Sequence, residues 1–250
     1  MSRRARRLAA VAAGAMAAMV HSAGPALAQS PPTTCPAPLA RASRLVLVTA
    51  STMDTPAATM RLYQRASPSE PWRALGEPEP AVIGKAGMAW SKFFSRLARR
   101  GEPIKVDRDK RAPAGFYPIG RSFGTVASSR PGHLHVTPDT ICVDDPSSPA
   151  YNTIASRARV GPTVHAENMS RVLPMYRRGL LVDYPTDARR QAGSCIFIHV
   201  WRSPTTGTAG CVAVPEPRVE ALQAFAEGGA VLAILPRAAL GRLAGCLPDR

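Results

Sequence analysis

Acidic residues are scarce in this 250-residue chain: 17 Asp and Glu stand against 32 Lys and Arg, a formal net charge of +15. A balance this basic first suggests a nucleic-acid partner. The sequence offers no basic helix and no repeat of aromatic and basic residues, so we predict that the protein binds no nucleic acid. An anionic cell-envelope polymer fits the charge better, and solubility alone explains it equally well.

The chain also lacks an apolar run long enough to cross a membrane. Its longest N-terminal run, Leu8 to Val20, has thirteen residues and is interrupted by Gly14, whereas a span needs about 20. Four arginines precede this run, and Ala26-Leu27-Ala28 follows it as a cleavage signal. We therefore predict an export signal over 1–28, by the general or the twin-arginine route, and no membrane span in the mature protein. Cleavage of this signal would remove four arginines, so the formal net charge would fall from +15 to +11. The protein is expected in the periplasm or cell envelope.

Metal-binding spacings are missing as well, because no HExxH, HxxxH or CxxC motif occurs. His133 and His135 share one face of a predicted strand, and with His199 they leave a metal enzyme as a remote alternative. The sequence predicts neither a metal site nor a cofactor.

Five cysteines are an odd number for an exported chain. If Cys211 stays a free thiol, the other four form two disulfides in one of three connectivities. We favour Cys35 with Cys246, because each lies in a Pro-rich terminal segment that a disulfide would tie down. Cys142 with Cys195 then follows by elimination.

Alternation of apolar and polar residues predicts a single, mostly β domain with a few helices. No internal repeat, long linker or second core is evident. We divide the chain into the signal 1–28, a loosely ordered Pro- and Ala-rich leader 29–43, a domain 44–236 and a tail 237–250. The predicted strands cover 44–50, 59–66, 80–87, 111–124, two segments within 133–154, 179–185, 195–201 and 230–236, and the predicted helices cover 88–100 and 215–229.

Chemistry is concentrated between Gly193 and Val214. On a strand 195–201, odd-numbered residues, including His199, share one face, and Ile196, Ile198 and Val200 share the other. Cys195 would lie about 13 Å from His199 along that strand, too far for a hydrogen bond. Cys211 follows a Gly-, Ser- and Thr-rich loop that can fold back, so we predict Cys211 and His199 as the catalytic pair.

A cysteine attacks as a thiolate, and a hydrogen-bonded imidazole supplies it by accepting the thiol proton. The backbone N–H groups of Gly210 and Cys211 are the predicted donors to a developing oxyanion. The alternative is that the pair is coincidental and that Cys211 forms a disulfide.

Thr208-Ala209-Gly210-Cys211, preceded at a distance by His199, resembles the active-site signature of the L,D-transpeptidase family (YkuD-like domain). The segments EPAVIGKAG, PAGFYPIGRSFG, CVDDPSSPAYN, GLLVDY and GSCIFIHVWR extend the resemblance over roughly 44–236. It implies a single β-sandwich-like domain with a helix after the cysteine.

The resemblance also implies an activity. Family enzymes attack the L-to-D peptide bond of a peptidoglycan stem peptide through the cysteine and pass the acyl group to an amine, and carbapenem-type inhibitors acylate that cysteine. Cys211 would be the nucleophile and His199 the base, oriented by a backbone carbonyl from the segment that follows it.

Two departures distinguish this chain from better-known members: only eleven residues separate His199 from Cys211, and Val212 and Ala213 stand where relatives carry Arg or Asn. We predict Arg202 and Thr208 as substrate-binding residues instead, Arg202 gripping a carboxylate. Hydrolysis on the same scaffold, as an L,D-carboxypeptidase, and a non-catalytic peptidoglycan-binding module remain the alternatives. The oligomeric state stays open.

Overall fold

Runs of β-branched and aliphatic residues form the framework of the chain, as in Arg44–Ala50 (β1), RLVLVTA, where five of seven residues are buried. The structure is a computed structural model that describes residues 35–187 and 192–249. The predicted export signal and most of the predicted leader lie outside the described residues.

The fold is mostly β with few helices, as the sequence predicts. After β1, the described strands are Ala57–Gln64 (β2), Arg73–Val82 (β3), Met88–Trp90 (β4), Ala112–Gly124 (β5), Leu134–His135 (β6), Thr140–Val143 (β7), Ile154–Ser156 (β8), Ala166–Asn168 (β9), Gly179–Val182 (β10), Phe197–Val200 (β11), Val212–Val214 (β12) and Val231–Pro236 (β13). The α-helices are Ala37–Arg41 (α1), Arg157–Val160 (α2) and Glu216–Phe225 (α3), and 3₁₀ turns cover Lys92–Leu97, Met169–Arg171, Met175–Arg177 and Arg237–Leu243.

Eight strands pair in a closed ring, in the order β10, β11, β12, β3, β2, β1, β13 and β5. The long strand β5 closes it, because its first half pairs with β13 and its second half pairs with β10. The predicted pairing of β1 with β2 and the predicted hairpin of β10 with β11 are both confirmed as antiparallel pairs. The ring therefore places β11, which bears His199, directly beside β12, which begins just after Cys211.

A second sheet of three short strands, in the order β8, β7, β9, lies outside this ring. A disulfide between Cys142 in β7 and Cys195, just before β11, ties the two sheets together. A second disulfide joins Cys35 to Cys246, and Cys211 is the free cysteine of the described chain. Both predicted pairings are therefore confirmed.

Strand β11 separates two apolar clusters. Ile196, Ile198 and Val200 belong to the main apolar core, whereas Phe197 and Cys211 belong to a smaller cluster with Tyr176. The predicted alternation is confirmed, but the strand is shorter than predicted and both of its faces are buried.

The predicted helix over 88–100 is wrong. Met88–Trp90 is a strand that pairs in parallel with Ala112–Ala114, and only Lys92–Leu97 forms a 3₁₀ turn. All three residues of β4 are fully buried, which a helix packed by one face does not allow. Phe93, which the sequence pattern placed on the apolar face, is 52% exposed. Hydrogen bonding to β5 therefore makes Met88–Trp90 a strand instead of the first turn of a helix.

The ordered domain extends beyond the predicted boundaries 44 and 236. Helix α1 lies within the predicted leader and buries Leu39, and the predicted tail buries Leu243 and Leu247 in the main core. The Arg65 guanidinium donates to the carbonyl groups of Leu39, Ala40 and Ala42, which fixes the end of α1. Together with the Cys35–Cys246 disulfide, these contacts order both terminal segments.

The α3 helix after Cys211 is confirmed, with Val219 and Leu222 buried as predicted. In the described part of the chain, no helix is long and apolar enough to cross a membrane.

Candidate active site

The parallel pairing of β11 and β12 places Cys211 beside the His199 strand. His199 is level with Ala213, which sets Cys211 level with Phe197. Side chains at level positions of neighbouring strands point to the same side of a sheet, and this side alternates along each strand. Cys211, Phe197 and His199 therefore share one face. The strand alternation that placed His199 opposite the main core is what brings the thiol and the imidazole to one side.

The loop before Cys211 is held by Thr208. Its backbone N–H donates to Ile83 O at 2.8 Å, and its own carbonyl accepts from Lys85 N–H at 2.8 Å. Its hydroxyl donates to Cys211 O at 2.7 Å and accepts from Gly210 N–H at 3.0 Å. Four hydrogen bonds at one residue thus join the nucleophile's turn to the segment that follows β3.

A glycine is required where this loop meets that segment. A Cβ on Gly207 would lie 2.6 Å from Lys85 Cα, closer than packed atoms approach. The Gly-rich composition of the loop therefore serves close backbone packing as well as access to the sulfur.

The Cys211 thiol is only 7% exposed and is neutral at rest. Its S–H donates to Cys195 O at 3.4 Å, and its sulfur accepts from Phe197 N–H at 3.4 Å. Burial, reinforced by the negative charge of Glu167, raises the pKa of Cys211 to about 12, although the Phe197 N–H and the charge of Lys105 act in the opposite direction. The resting thiol proton is held by a backbone carbonyl.

The His199 imidazole has a fixed tautomer. Its Nδ1 lies 2.8 Å from Val200 O, and because a carbonyl only accepts, Nδ1 carries the proton and Nε2 carries the lone pair. Burial lowers the pKa of His199 to about 4. The Tyr176 ring packs edge-on against the imidazole with the centroids 5.4 Å apart. His199 is therefore a neutral, oriented base at physiological pH.

Both residues line a cavity of about 710 Å³. Among the charged residues of its wall, basic ones outnumber acidic ones. The basic residues are Lys85, Lys105, Arg108, Lys110 and Arg202, and the acidic ones are Asp107, Asp144 and Glu167.

The structure distributes the remaining predicted site residues unevenly. Arg202 lies at the cavity with an exposed side chain, and Thr208 lines the same cavity with its hydroxyl engaged in the turn. The Gly210 N–H is engaged by Thr208 Oγ1, so its use for an oxyanion requires that this bond be exchanged. The oxyanion role of the Cys211 N–H stays a prediction.

Two of the three histidines of the metal alternative form hydrogen bonds to other groups of the protein. His133 Nδ1 lies 2.9 Å from Ser122 Oγ, and His199 is bound to Val200 O. No group of three or more His, Cys, Asp or Glu residues in 35–187 and 192–249 is arranged to hold a metal ion.

Sequence reasoning missed three residues that line the same cavity as Cys211 and His199: Lys105, Glu167 and Tyr176. Each lies more than 20 positions from His199 in segments without a motif, so no spacing pattern pointed to them. A lysine within a charged run, 105–111, and a lone glutamate read as surface residues.

Comparison with known proteins does not assign the chain to a family. No protein-family model, no curated protein and no solved structure matches it.

Proposed function

We propose that this protein is a cysteine acyltransferase of the L,D-transpeptidase type that acts on peptidoglycan stem peptides. The observation that carries the proposal is the pairing of a free thiol, Cys211, with a neutral imidazole, His199, on adjacent parallel strands at one cavity. The resemblance in the sequence implied an imidazole oriented by a backbone carbonyl from the segment after the histidine. Val200 O occupies that place.

The two pKa values favour a general-base mechanism over a resting ion pair. With the pKa of the thiol raised and that of the imidazole lowered, the neutral pair is the stable state between about pH 4 and pH 12. Attack therefore needs the thiol proton to leave Cys195 O and pass to His199 Nε2 as the sulfur–carbon bond forms. The C–N bond then breaks, the imidazolium of His199 gives that proton to the nitrogen of the leaving terminal residue, and a thioester remains on Cys211.

The second half of the reaction reverses these roles. An acceptor amine attacks the thioester carbon, the new amide C–N bond forms, the C–S bond breaks, and the proton lost by nitrogen returns through His199 to the sulfur. Water in place of the amine gives hydrolysis and the L,D-carboxypeptidase outcome. Removal of bulk water by burial of the pair favours the amine.

The surroundings of the pair support a peptide substrate with carboxylates. Five cationic side chains line the cavity, and arginine and lysine bind carboxylates well. The mostly β fold agrees with the β-sandwich-like domain that the resemblance implies. An export signal and two disulfides fit action in the cell envelope.

The test uses purified protein with a disaccharide tetrapeptide as donor and a tripeptide stem as acceptor, with products followed by mass spectrometry. We expect release of the terminal residue and a cross-linked dimer. Cys211→Ala should lower the rate at least about a thousandfold, as loss of a nucleophile typically does. Thr205→Ala, an exposed change in the same loop, is the matched control. Full activity in Cys211→Ala would overturn the proposal.

One observation favours a different function, a non-catalytic peptidoglycan-binding module. A thiol whose pKa is raised to about 12 is a poor nucleophile unless its proton is removed during attack. A carbapenem separates the two functions, because acylation adds its mass to the intact protein. No adduct, together with undiminished binding of Cys211→Ala to peptidoglycan sacculi, would favour the binding module.

A further inference from the structure

Lys105, which is buried, and Glu167, which is half-buried with its Oε1 enclosed, flank Cys211 and His199. Lys105 and Glu167 both line the cavity of Cys211, and they come from different parts of the fold. Lys105 follows β4, at the edge of β5, and Glu167 belongs to β9 in the smaller sheet. A buried charge costs free energy unless it is paired or serves a ligand.

The ammonium group of Lys105 is fixed but not saturated. Its side chain is 4% exposed, and Nζ donates to Asp109 Oδ1 at 2.6 Å and to Val106 O at 2.9 Å. An ammonium has three donors, so one N–H is without a partner in the described part of the chain. Asp109 also accepts from Val106 N–H and Arg111 N–H, which divides its negative charge among three donors.

Lys105 lies against the segment that leads to β11. A Cβ on Gly193 would lie 3.0 Å from Lys105 Cε and 3.1 Å from Nζ. Two residues later, Cys195 O accepts the thiol proton of Cys211. The ammonium therefore belongs to the wall beside the sulfur, and its positive charge lowers the pKa of the thiol.

Glu167 approaches the same sulfur from the other sheet. It stands directly opposite Cys142 in the antiparallel pairing of β7 and β9, so the two side chains share one face. Cys142 is bonded to Cys195, which places the carboxylate next to the disulfide at the nucleophile. The negative charge of Glu167 raises the pKa of Cys211.

The carboxylate of Glu167 is held on one side only. The Tyr176 hydroxyl donates to it, whereas Oε1 is enclosed and has no hydrogen-bond partner among residues 35–187 and 192–249. Within those ranges no Lys, Arg or His forms an ion pair with it. Burial raises its pKa, which makes it a better proton acceptor than an exposed glutamate.

We propose that Lys105 binds the terminal carboxylate of the acyl donor and that Glu167 receives the ammonium group of the acceptor, so that the two substrates enter from opposite sides of Cys211. This assignment rests on the proposed acyl transfer. Glu167 takes one proton from the ammonium, and the resulting amine attacks the thioester as described above. Lys105 and Glu167 are thus specificity-determining residues of the donor and acceptor subsites.

The donor subsite is tested by the rate at which Cys211 is acylated. The donors are a tetrapeptide stem with a free terminal carboxylate and the same peptide with a terminal carboxamide. We expect the wild-type protein to prefer the carboxylate by about tenfold or more, the contribution of one charge-assisted hydrogen bond. Lys105→Gln should lose this preference. Arg100→Gln, which removes a cation at an exposed residue outside the cavity, should keep it.

The acceptor subsite is tested by the fate of the acyl-enzyme. With the side-chain amine of a tripeptide stem as acceptor, Glu167→Gln should lower the ratio of aminolysis to hydrolysis by about tenfold and leave hydrolysis unchanged. Glu70→Gln, the same change at an exposed residue outside the cavity, is the matched control. A ratio unchanged by Glu167→Gln would overturn the acceptor assignment.

Failure of the subsites is distinguishable from failure of the chemistry. Acylation of Cys211 without a difference between the two donors would overturn the Lys105 assignment and leave acyl transfer standing. If no donor acylates Cys211, calorimetric binding of the same peptides to Cys211→Ala still compares carboxylate with carboxamide and amine with acetylated amine. Equal affinities in those titrations would overturn both assignments, and retained tenfold differences would support them without the reaction.

Discussion

Removal of the Cys142–Cys195 disulfide should disable the site, whereas removal of the Cys35–Cys246 disulfide should leave it intact. Cys195 has φ +56, an uncommon conformation for a residue other than glycine, and its carbonyl holds the Cys211 thiol proton. The disulfide and the bond from Cys195 N–H to Asn152 Oδ1, 2.8 Å, fix this conformation. The terminal disulfide has no such contact with the catalytic pair.

The two disulfides should contribute similarly to stability, which makes one a control for the other. They join residues 53 and 211 positions apart. The loop-entropy relation gives roughly 4 kcal/mol for the shorter loop and roughly 5 kcal/mol for the longer one. The control variant therefore loses at least as much stability as the test variant, and a difference at the site cannot be attributed to global unfolding.

The assay compares Cys142→Ala/Cys195→Ala with Cys35→Ala/Cys246→Ala. Guanidinium unfolding gives the free energy of each, and alkylation of Cys211 by iodoacetamide and its acylation by donor peptide are measured where both variants are folded. We expect the first variant to be alkylated at least about tenfold faster, because the thiol loses its carbonyl partner and part of its burial, and to be acylated more slowly. Equal rates in the two variants would refute the reasoning.

Two further predictions concern the neutral pair and its loop. Because burial raises the pKa of Cys211 to about 12 and lowers that of His199 to about 4, alkylation should rise with pH through pH 9 without a plateau, and acylation should fall only near pH 4. An acylation midpoint near pH 6.5 would contradict the buried imidazole. Thr208→Val leaves Gly210 N–H and the Cys211 carbonyl without their partner and should lower the free energy of unfolding by about 2–4 kcal/mol. In a denaturant titration, Thr205→Val should change it by less than about 0.5 kcal/mol, and equal losses would contradict the role of the Thr208 hydroxyl.

The same His199 follows a linkage argument for stability. Its pKa is lowered on folding, so the unfolded chain binds a proton below about pH 6.5 that the folded chain refuses until about pH 4. The stability contributed by the neutral imidazole is therefore complete above pH 6.5 and is lost as the pH falls from 6.5 to 4.

Local patterns in the sequence predicted most of the long strands and the proposed catalytic pair. Period-2 alternation is a property of neighbouring residues, so Ile196, Ile198 and Val200 identified the core face of β11 without any tertiary information. The same alternation put His199 on the opposite face. The odd number of cysteines left one thiol unpaired, and the Gly-rich loop before Cys211 pointed to that residue. Two terminal Pro-rich segments sufficed to pair Cys35 with Cys246.

Tertiary structure decided what depends on contacts between distant segments. The segment 88–100 carries a helical spacing of aromatic residues, yet Met88–Trp90 pairs with β5 and is fully buried there, which outweighs local propensity. Lys105 and Glu167 come together at the cavity of Cys211 only in the folded chain, because they belong to segments far apart in sequence. The sequence by itself pointed to Cys211 and His199 as the proposed pair, because strand alternation and a Gly-rich loop are local features. The closed sheet with its attached second sheet decided which charges surround them, because those charges come from distant segments.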